Sequence, residues 1–508
     1  MPGPGEASVA DGAPATLLVN ANVLTMDPRA PRASALTMAD GVIRSVGADE
    51  TDRRPGLRRM DLGGATVVPG FIDTHVHAGV TGIGRFATQL DSIAGVGAAL
   101  AALAADSAET GVGRLVVGTG FDPGAAGRFP TPDELDAAGG GRPVYVMGAG
   151  GHHSVVNRAA LDLIDGVATS GVLKGDDNMA AFTQLWRRLG DQVGLERALA
   201  AAAADAAAGG ITTMHTMDPL HVTEALVSRS WPVNVVPYAE TFDVDAVQAL
   251  GLPQIGGCGP VALDGDVDPH TAALLEPYTD DPGASGVLRH STDDLLEFVG
   301  RAHRAGMQVA LHCVGSGAID QLLTVYQRAI GPAGIRLRRH RIEHFEIPGP
   351  GQAQRAATLG VSVSVQPAFN HLWPHHRGYP EVLGAARAEM VDPVRSLMEA
   401  GVATGFGSDS PVTPLRPLLG IHAAVNHSNP SERVGVAAAL RAYTSDAAGL
   451  AHQAGERGRI AVGCAADLVI LDDDPITVAP DRISAISVLA TTVGGRFVFA
   501  AGQSETPR

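Results

Sequence analysis

The chain is expected to fold as a (β/α)8 TIM barrel with a small β-domain built from both termini and an insertion after the first barrel strand. Three observations point there. Between residues 69 and 454, helical stretches alternate with short apolar strands, the signature of parallel βαβ units. Both ends of the chain read as short strands rich in β-branched residues. The stretch from about 80 to 200 is too long for a single strand-to-helix connection, which marks an insertion.

Taken in order, Thr16 to Leu24 reads as strand, and Gly41 sits in a turn before V-I-R-S-V-G. Ala466 to Leu471, Ile486 to Leu489 and the following V-G-G-R-F-V-F-A carry the same character at the other end. Residues 1–68 and 455–508 are most simply joined into one small β-domain, with two unrelated β-appendages as the alternative, and 69–454 are assigned to the barrel. Within the barrel the helix Leu195–Ala208 precedes the strand Ile211–His215, and Thr292–Ala305 precedes Met307–His312. Ile319–Ile330 leads to Arg341–Phe345, Gly351–Leu359 to Val361–Gln366, and Val394–Ala400 to Ala403–Asp409. No G-x-G-x-x-G follows the first strand, which disfavours a doubly wound dinucleotide fold.

Composition narrows the function classes. The 508 residues exceed one domain at about 150 residues each, and 45% hydrophobic content supplies a sizeable core. The formal net charge of −17 speaks against a nucleic-acid partner. No run near ~18 apolar residues suggests a membrane span, and the first 15 residues lack the basic start and apolar centre of a secretory signal. Three cysteines, Cys258, Cys313 and Cys464, are too few for a disulfide scaffold and suit a cytoplasmic protein. Lys174 is the only lysine.

The chemistry concentrates at strand ends. In V-V-P-G-F-I-D-T-H-V-H, His75 and His77 alternate and so face the same way, a spacing that lets both ligate one metal. His312 ends M-Q-V-A-L-H, His344 ends R-I-E-H and Asp409 ends T-G-F-G-S-D. In a barrel those ends converge on the active-site face. Four histidines and an aspartate suffice for a catalytic metal with an open water position.

The ordered set H-V-H, L-H-C-V-G, R-I-E-H-F and G-S-D-S-P-V resembles the amidohydrolase superfamily, and more narrowly its amidohydrolase-3 branch. G-H-H-S-V-V-N-R-A-A-L, H-T-A-A-L-L-E-P-Y and A-A-D-L-V-I-L extend the likeness over nearly the whole chain. The resemblance implies a β/α barrel, a composite β-sandwich from residues 1–68 and 455–508, and hydrolysis at a carbon bonded to nitrogen. It implies a divalent metal, zinc for preference, as one or two ions held by His75, His77, His312, His344 and Asp409. Asp409 is expected to shuttle the proton, and His344 to ligate or to polarise the substrate carbonyl.

Two departures stand out. Binuclear members of the superfamily bridge their metals with a carboxylated lysine on the fourth barrel strand, whereas Lys174 lies in the polar, turn-like G-V-L-K-G-D-D of the insertion. Cys258, in I-G-G-C-G-P-V-A-L-D-G-D, takes roughly the lysine's place, either as a thiolate ligand or as a small buried apolar residue. The absence of a bridging lysine favours a single tightly held ion, with binuclear occupancy through Cys258 as the alternative. Further, Ser316 stands in H-C-V-G-S where the branch usually carries an acid, which would weaken metal binding if that acid orients a ligand.

Around this centre, Q-P-A-F-N-H-L-W-P-H-H places Phe369, His371, Trp373, His375 and His376 on one loop, as substrate pocket or as surface packing. His153 in G-H-H-S either reaches the site or serves a turn, and His215, ending I-T-T-M-H, either supports the site or the core. The expected activity is a metal-dependent hydrolase cleaving the non-peptide carbon–nitrogen bond of an N-acyl or cyclic amide in a small-molecule substrate. A deaminase, a decarboxylase and a non-catalytic ligand-binding relative are the alternatives. A homodimer is the expected assembly.

Overall fold

The computed structural model describes residues 15–47 and 56–502, except 92, 112, 150–152, 168–170, 268 and 373–378, with backbone alone at 175–176. Eight strands run in one sheet in sequence order, all neighbours parallel. They are Phe71–Val76, Ile211–Asp218, Asn234–Ala239, Gln254–Gly257, Gln308–Gly315, Arg341–Ile347, Ser362–Val365 and Ala403–Phe406. The first and last meet at a parallel bridge between Val76 and Ser410. Two further bonds hold this seam: the Asp409 N–H donates to the His75 carbonyl at 2.8 Å, and the Ser408 N–H to Asp73 Oδ1 at 2.8 Å. Burial raises the Asp73 carboxyl to about 6, against the pull of its bonds from Ser408 and His75. The expected TIM barrel is present.

The surrounding helices follow from their sequence. Thr292–Arg304 buries Leu295, Phe298, Val299 and Ala302, one face at helical spacing. Ser291 caps it by accepting the Asp294 N–H, with Asp293 and Asp294 in the first turn and Arg301, His303 and Arg304 in the last, which suits the helix dipole. At the fourth barrel strand the constraint is tighter. A side chain at Gly256 would place its Cβ 1.9 Å from the Ala310 carbonyl oxygen, so only glycine lets this strand lie against the fifth.

Strands before the barrel enter two further sheets, and strands after it join the second of these. Thr16 to Leu24 does not run as one strand. Asn20 turns through the left-handed region (φ 51°), so Thr16–Val19 enters a four-stranded sheet and Asn22–Leu24 a six-stranded one. In the latter, Leu468–Leu471 pairs antiparallel with Thr66–Pro69, bringing the chain's two ends together. Leu18, Val23, Leu36, Ile43, Val67, Leu468 and Ile470 form the shared apolar core.

The chain divides into two compact units, 77–202 and the remainder. The 77–202 unit holds a five-stranded sheet, Gly171–Lys174, His153–Val156, Val144–Gly148, Val116–Phe121 and Thr88–Gln89 in spatial order. Helix Val96–Glu109 buries Leu103 with Val116 and Val144, and helix Gly175–Val193 buries Leu185 and Trp186 with Tyr145. Among the described residues no helix is long and apolar enough to cross a membrane.

Inside the barrel, Arg341 is fully buried. Its Nε and Nη2 donate to the two carboxylate oxygens of Glu343 at 2.9 and 2.8 Å, and Nη2 also donates to the Thr74 carbonyl at 2.8 Å. Nη1 donates to His215 Nδ1 at 2.9 Å and to the Tyr238 hydroxyl at 3.0 Å. All five guanidinium N–H groups are thus matched, and the plane lies 4.7 Å over the Tyr238 ring. Burial would raise the Glu343 carboxyl, but the charge of Arg341 and the bond from His75 bring it below its ordinary value.

A pair buried this deeply is costly to break from one side. In metal-free protein, Arg341→Met should lower unfolding stability by about 3–5 kcal/mol, because Glu343 is left charged and unpaired. Adding Glu343→Gln should restore part of that loss, read by denaturant unfolding of the single and double variants. Equal stabilities for the two would remove the ion pair as the cause.

Candidate metal centre

The barrel geometry brings five of the expected side chains to one end. Cys258 follows the fourth strand, and its Sγ lies 3.4 Å from His75 Nε2, 3.6 Å from His312 Nδ1 and 3.6 Å from His344 Nε2. Asp409 Oδ1 is 3.4 Å from His75 Nε2. A tetrahedral zinc with bonds of about 2.05 Å to nitrogen and 2.3 Å to sulfur separates those two donors by about 3.6 Å. The observed spacings match ligands that share a cation, so the residues fit the metal that the fold class implies. His77, two residues beyond His75 and directly after Val76, is the first residue of the 77–202 unit and precedes the helix Ala78–Gly84.

Two of the three imidazoles are held by a hydrogen bond on their other nitrogen. His75 Nδ1–H donates to Glu343 Oε2 at 2.8 Å, which leaves Nε2 as the lone-pair face. His344 Nδ1–H donates to Gln366 Oε1 at 2.9 Å, again freeing Nε2. His312 is turned the other way: Nδ1 faces Cys258, and Nε2 lies 3.7 Å from Asp264 Oδ1. Burial, with His344 beside it, holds His312 well below the usual histidine range, so the ring is neutral and able to ligate. Burial also works against charge on His344, but the Cys258 sulfur bonded to its Nε2 raises it above its ordinary value.

Backbone strain sits at the same place. His344, Phe345 and Asp409 have φ of 73°, 58° and 57°, in the left-handed region that non-glycine residues rarely occupy. A regular pleat sends Glu343 and His344 to opposite faces. The left-handed turn at His344 breaks the alternation and lets both serve one centre.

Asp264, absent from the sequence-based site, is fully buried and accepts N–H bonds from Val314, Gly315 and Ala273 at 3.0, 2.8 and 2.9 Å. Burial lifts its carboxyl to about 7 in spite of these bonds. It is the carboxyl group beside His312. Ser316 does other work: its Oγ accepts the Leu275 N–H at 3.0 Å and its carbonyl accepts from Gln352 Nε2 at 2.8 Å. The loss of an acid at 316 therefore leaves His312 with a carboxyl neighbour. Glu240, after the third strand, is a further residue that the strand-end pattern does not reveal. Its Oε1 accepts the Cys258 N–H at 3.1 Å.

Other expectations are corrected. His215 is no pocket residue: it is fully buried, its Nδ1 accepts from Arg341, and burial together with that positive charge keeps it neutral. Lys174 ends a strand instead of lying in a turn, and is exposed, paired across the sheet with His153. His153 is likewise exposed, within the 77–202 unit. Phe369 lies near His344, ring centroids 6.5 Å apart and nearly parallel at 15°. His371 packs instead on His422, with centroids 4.8 Å apart. Trp373, His375 and His376 lie outside the described residues.

A parallel barrel with histidines, a thiol and an aspartate gathered at the carboxyl ends of its strands is the architecture of a metal-dependent hydrolase. The Amidohydrolase family pattern matches residues 58–499, and the chain belongs to that family. A Bacillus subtilis protein bearing the name amidohydrolase YtcJ is 28% identical, the alignment covering 94% of this chain and 98% of that one. The N-substituted formamide deformylase of Arthrobacter pascens is 27% identical over 94% of this chain and 97% of its own. Among solved structures, an uncharacterised metal-dependent hydrolase of Pyrococcus furiosus superposes with a TM-score of 0.75 at 26% identity, covering 91% of this chain and 100% of its own.

The role of Asp264 can be read from stability. Asp264→Asn turns an NH2 towards at least one of the three backbone N–H donors, which should cost about 1–3 kcal/mol for each group left unsatisfied. Unfolding of the metal-free variant measures this, and unchanged stability would show that the three bonds contribute nothing.

Proposed function

We propose that this hydrolase cleaves a non-peptide carbon–nitrogen bond in a small N-acyl or cyclic amide, using a divalent metal, zinc by preference. The observation that carries the reading is the meeting of three imidazole nitrogens on the Cys258 sulfur with Asp409 alongside. His75, His77, Cys258, His312, His344 and Asp409 would hold the metal. When bound, it supplies Lewis acidity and lowers the pKa of a coordinated water from 15.7 towards ~7.

The chain's own groups do the rest. Asp409, six per cent exposed and anchored by its N–H to the His75 carbonyl, is placed to take a proton from the attacking water and return it to the departing nitrogen. His344 faces the same point, where it ligates or polarises the substrate carbonyl. Glu343 and Gln366 hold the tautomers of His75 and His344, so neither ring reorients during the reaction. The name of the Arthrobacter relative, a deformylase of N-substituted formamides, favours an acyl–nitrogen bond as the one attacked.

A panel of N-acyl amines and cyclic amides, assayed for paired release of carboxylate and amine, tests the substrate class. Ammonia as the sole nitrogen product would mean a deaminase, and carbon dioxide release a decarboxylase. Asp409→Asn should lower turnover by at least ~10²-fold with the fold retained, since an amide cannot shuttle the proton. Near wild-type turnover in a metal-loaded variant would remove Asp409 from that role. Lys174→Ala should leave metal content and turnover unchanged, while Cys258→Ala should lower both. The reverse pattern would restore the lysine as the bridging group.

A further inference from the structure

Glu240 has no counterpart in the ligand set expected from the strand ends, yet the turn around Cys258 is shaped to admit it. The turn reads Gly257–Cys258–Gly259, with φ of 121° and 56° at its two glycines. A Cβ at Gly259 would lie 3.0 Å from Glu240 Oε2, and one at Gly257 would lie 3.2 Å from Glu240 Cγ. A side chain at Gly259 would press on the carboxylate and one at Gly257 on the Glu240 Cγ and on Met217; glycine at both leaves the Glu240 side chain room beside the thiol. Glu240 is eight per cent exposed, and its own N–H is anchored on the Asp218 carbonyl at 3.0 Å. Its Oε1 is fixed by the Cys258 N–H at 3.1 Å, and a carboxylate oxygen lies within 4.8 Å of the sulfur.

Donor counting gives this carboxylate a purpose. His75, His312, His344 and Cys258 already fill four positions, the full complement of a tetrahedral zinc. His77, Asp409 and Glu240 are then surplus to one ion, and a hydrolytic ion needs a position left open for water. Spreading the donors over two cations, with the sulfur common to both, resolves the excess. A carboxylated lysine brings two oxygen atoms to a metal pair, whereas a thiolate brings one donor atom, so a second donor must come from elsewhere. Two divalent ions in so buried a site also need anionic charge beyond that of Cys258 and Asp409.

We propose that Glu240 is a metal ligand, and that it and Cys258 together replace the single carboxylated lysine by holding a second divalent cation beside the first. The inference rests on the reading of this centre as a metal site. Glu240→Gln is the informative variant, because its Oε1 can still accept the Cys258 N–H and so preserve the turn. Glu240→Asp, which keeps the charge but withdraws it by one carbon, provides a second variant.

The proteins are loaded with zinc, dialysed against a competing chelator and analysed for metal. They are then loaded with cobalt(II), and the absorption of the thiolate–cobalt bond is recorded. Wild type should retain two equivalents and Glu240→Gln one, with the thiolate–cobalt absorption still present in both. Glu240→Asp should retain the second ion at least ~10-fold more weakly than wild type. A single equivalent in wild type, or two in Glu240→Gln at unchanged affinity, would overturn the proposal and leave Glu240 as a cap on the Cys258 N–H. Absence of bound metal from wild type would instead overturn the reading of the centre itself.

Discussion

The fully buried guanidinium of Arg341 is the interaction on which the centre depends. It sits among the sixth, third, second and first barrel strands, and its five N–H groups bond Glu343, Tyr238, His215 and the Thr74 carbonyl. An unpaired charge at this depth would be prohibitive, so the surrounding polar groups are obliged to stay where they are. The Arg341 charge offsets the burial that disfavours the Glu343 carboxylate. A carboxylate only accepts, so it fixes the His75 proton on Nδ1 and points Nε2 at Cys258 and Asp409. The buried pair thus connects barrel packing to ligand direction in three hydrogen bonds.

The other ligands are positioned by means suited to their own strands. Gln366 at the end of the seventh strand accepts from His344, and Asp264 in the loop after the fourth stands beside His312. Asp264 is itself held by three backbone N–H groups, so its position is set by the main chain. Cys258 owes its place to glycines that allow its strand to touch the fifth and its turn to curl round Glu240. Left-handed backbone at His344 and Asp409 adds conformations that only a well-packed framework maintains. A site built in this way is rigid before any ligand arrives, which suits chemistry that depends on fixed donors and a fixed proton carrier.

Much of this was legible in the chain alone. Helix–strand alternation located five of the barrel strands and the segment ending in His75 and His77 a sixth, and the position of His75, His312, His344 and Asp409 at apolar strand ends located the centre. The third strand, Asn234–Ala239, was hidden by Asn234 and Pro237, which weaken its strand signal. The four-residue fourth strand, Gln254–Gly257, is half glycine, and its fold rests on close approach to Ala310 instead of on side-chain pattern. Glu240 and Asp264 are carboxylates in polar loops, without periodicity to mark them. His215 shows the opposite failure. It ends a stretch of sequence as the ligands do, but only the position of Arg341 tells that it serves the core. Thr16 to Leu24 looks continuous because the break lies in the φ of Asn20, which the residue type permits but does not announce.

The central claim is that a metal is bound through both imidazole nitrogen and the Cys258 sulfur. X-ray absorption of the zinc-loaded protein tests it most directly. The account predicts a sulfur scatterer at about 2.3 Å together with nitrogen or oxygen scatterers at about 2.0–2.1 Å, the sulfur contribution vanishing in Cys258→Ala. A zinc shell of nitrogen and oxygen alone in the wild-type protein would contradict it.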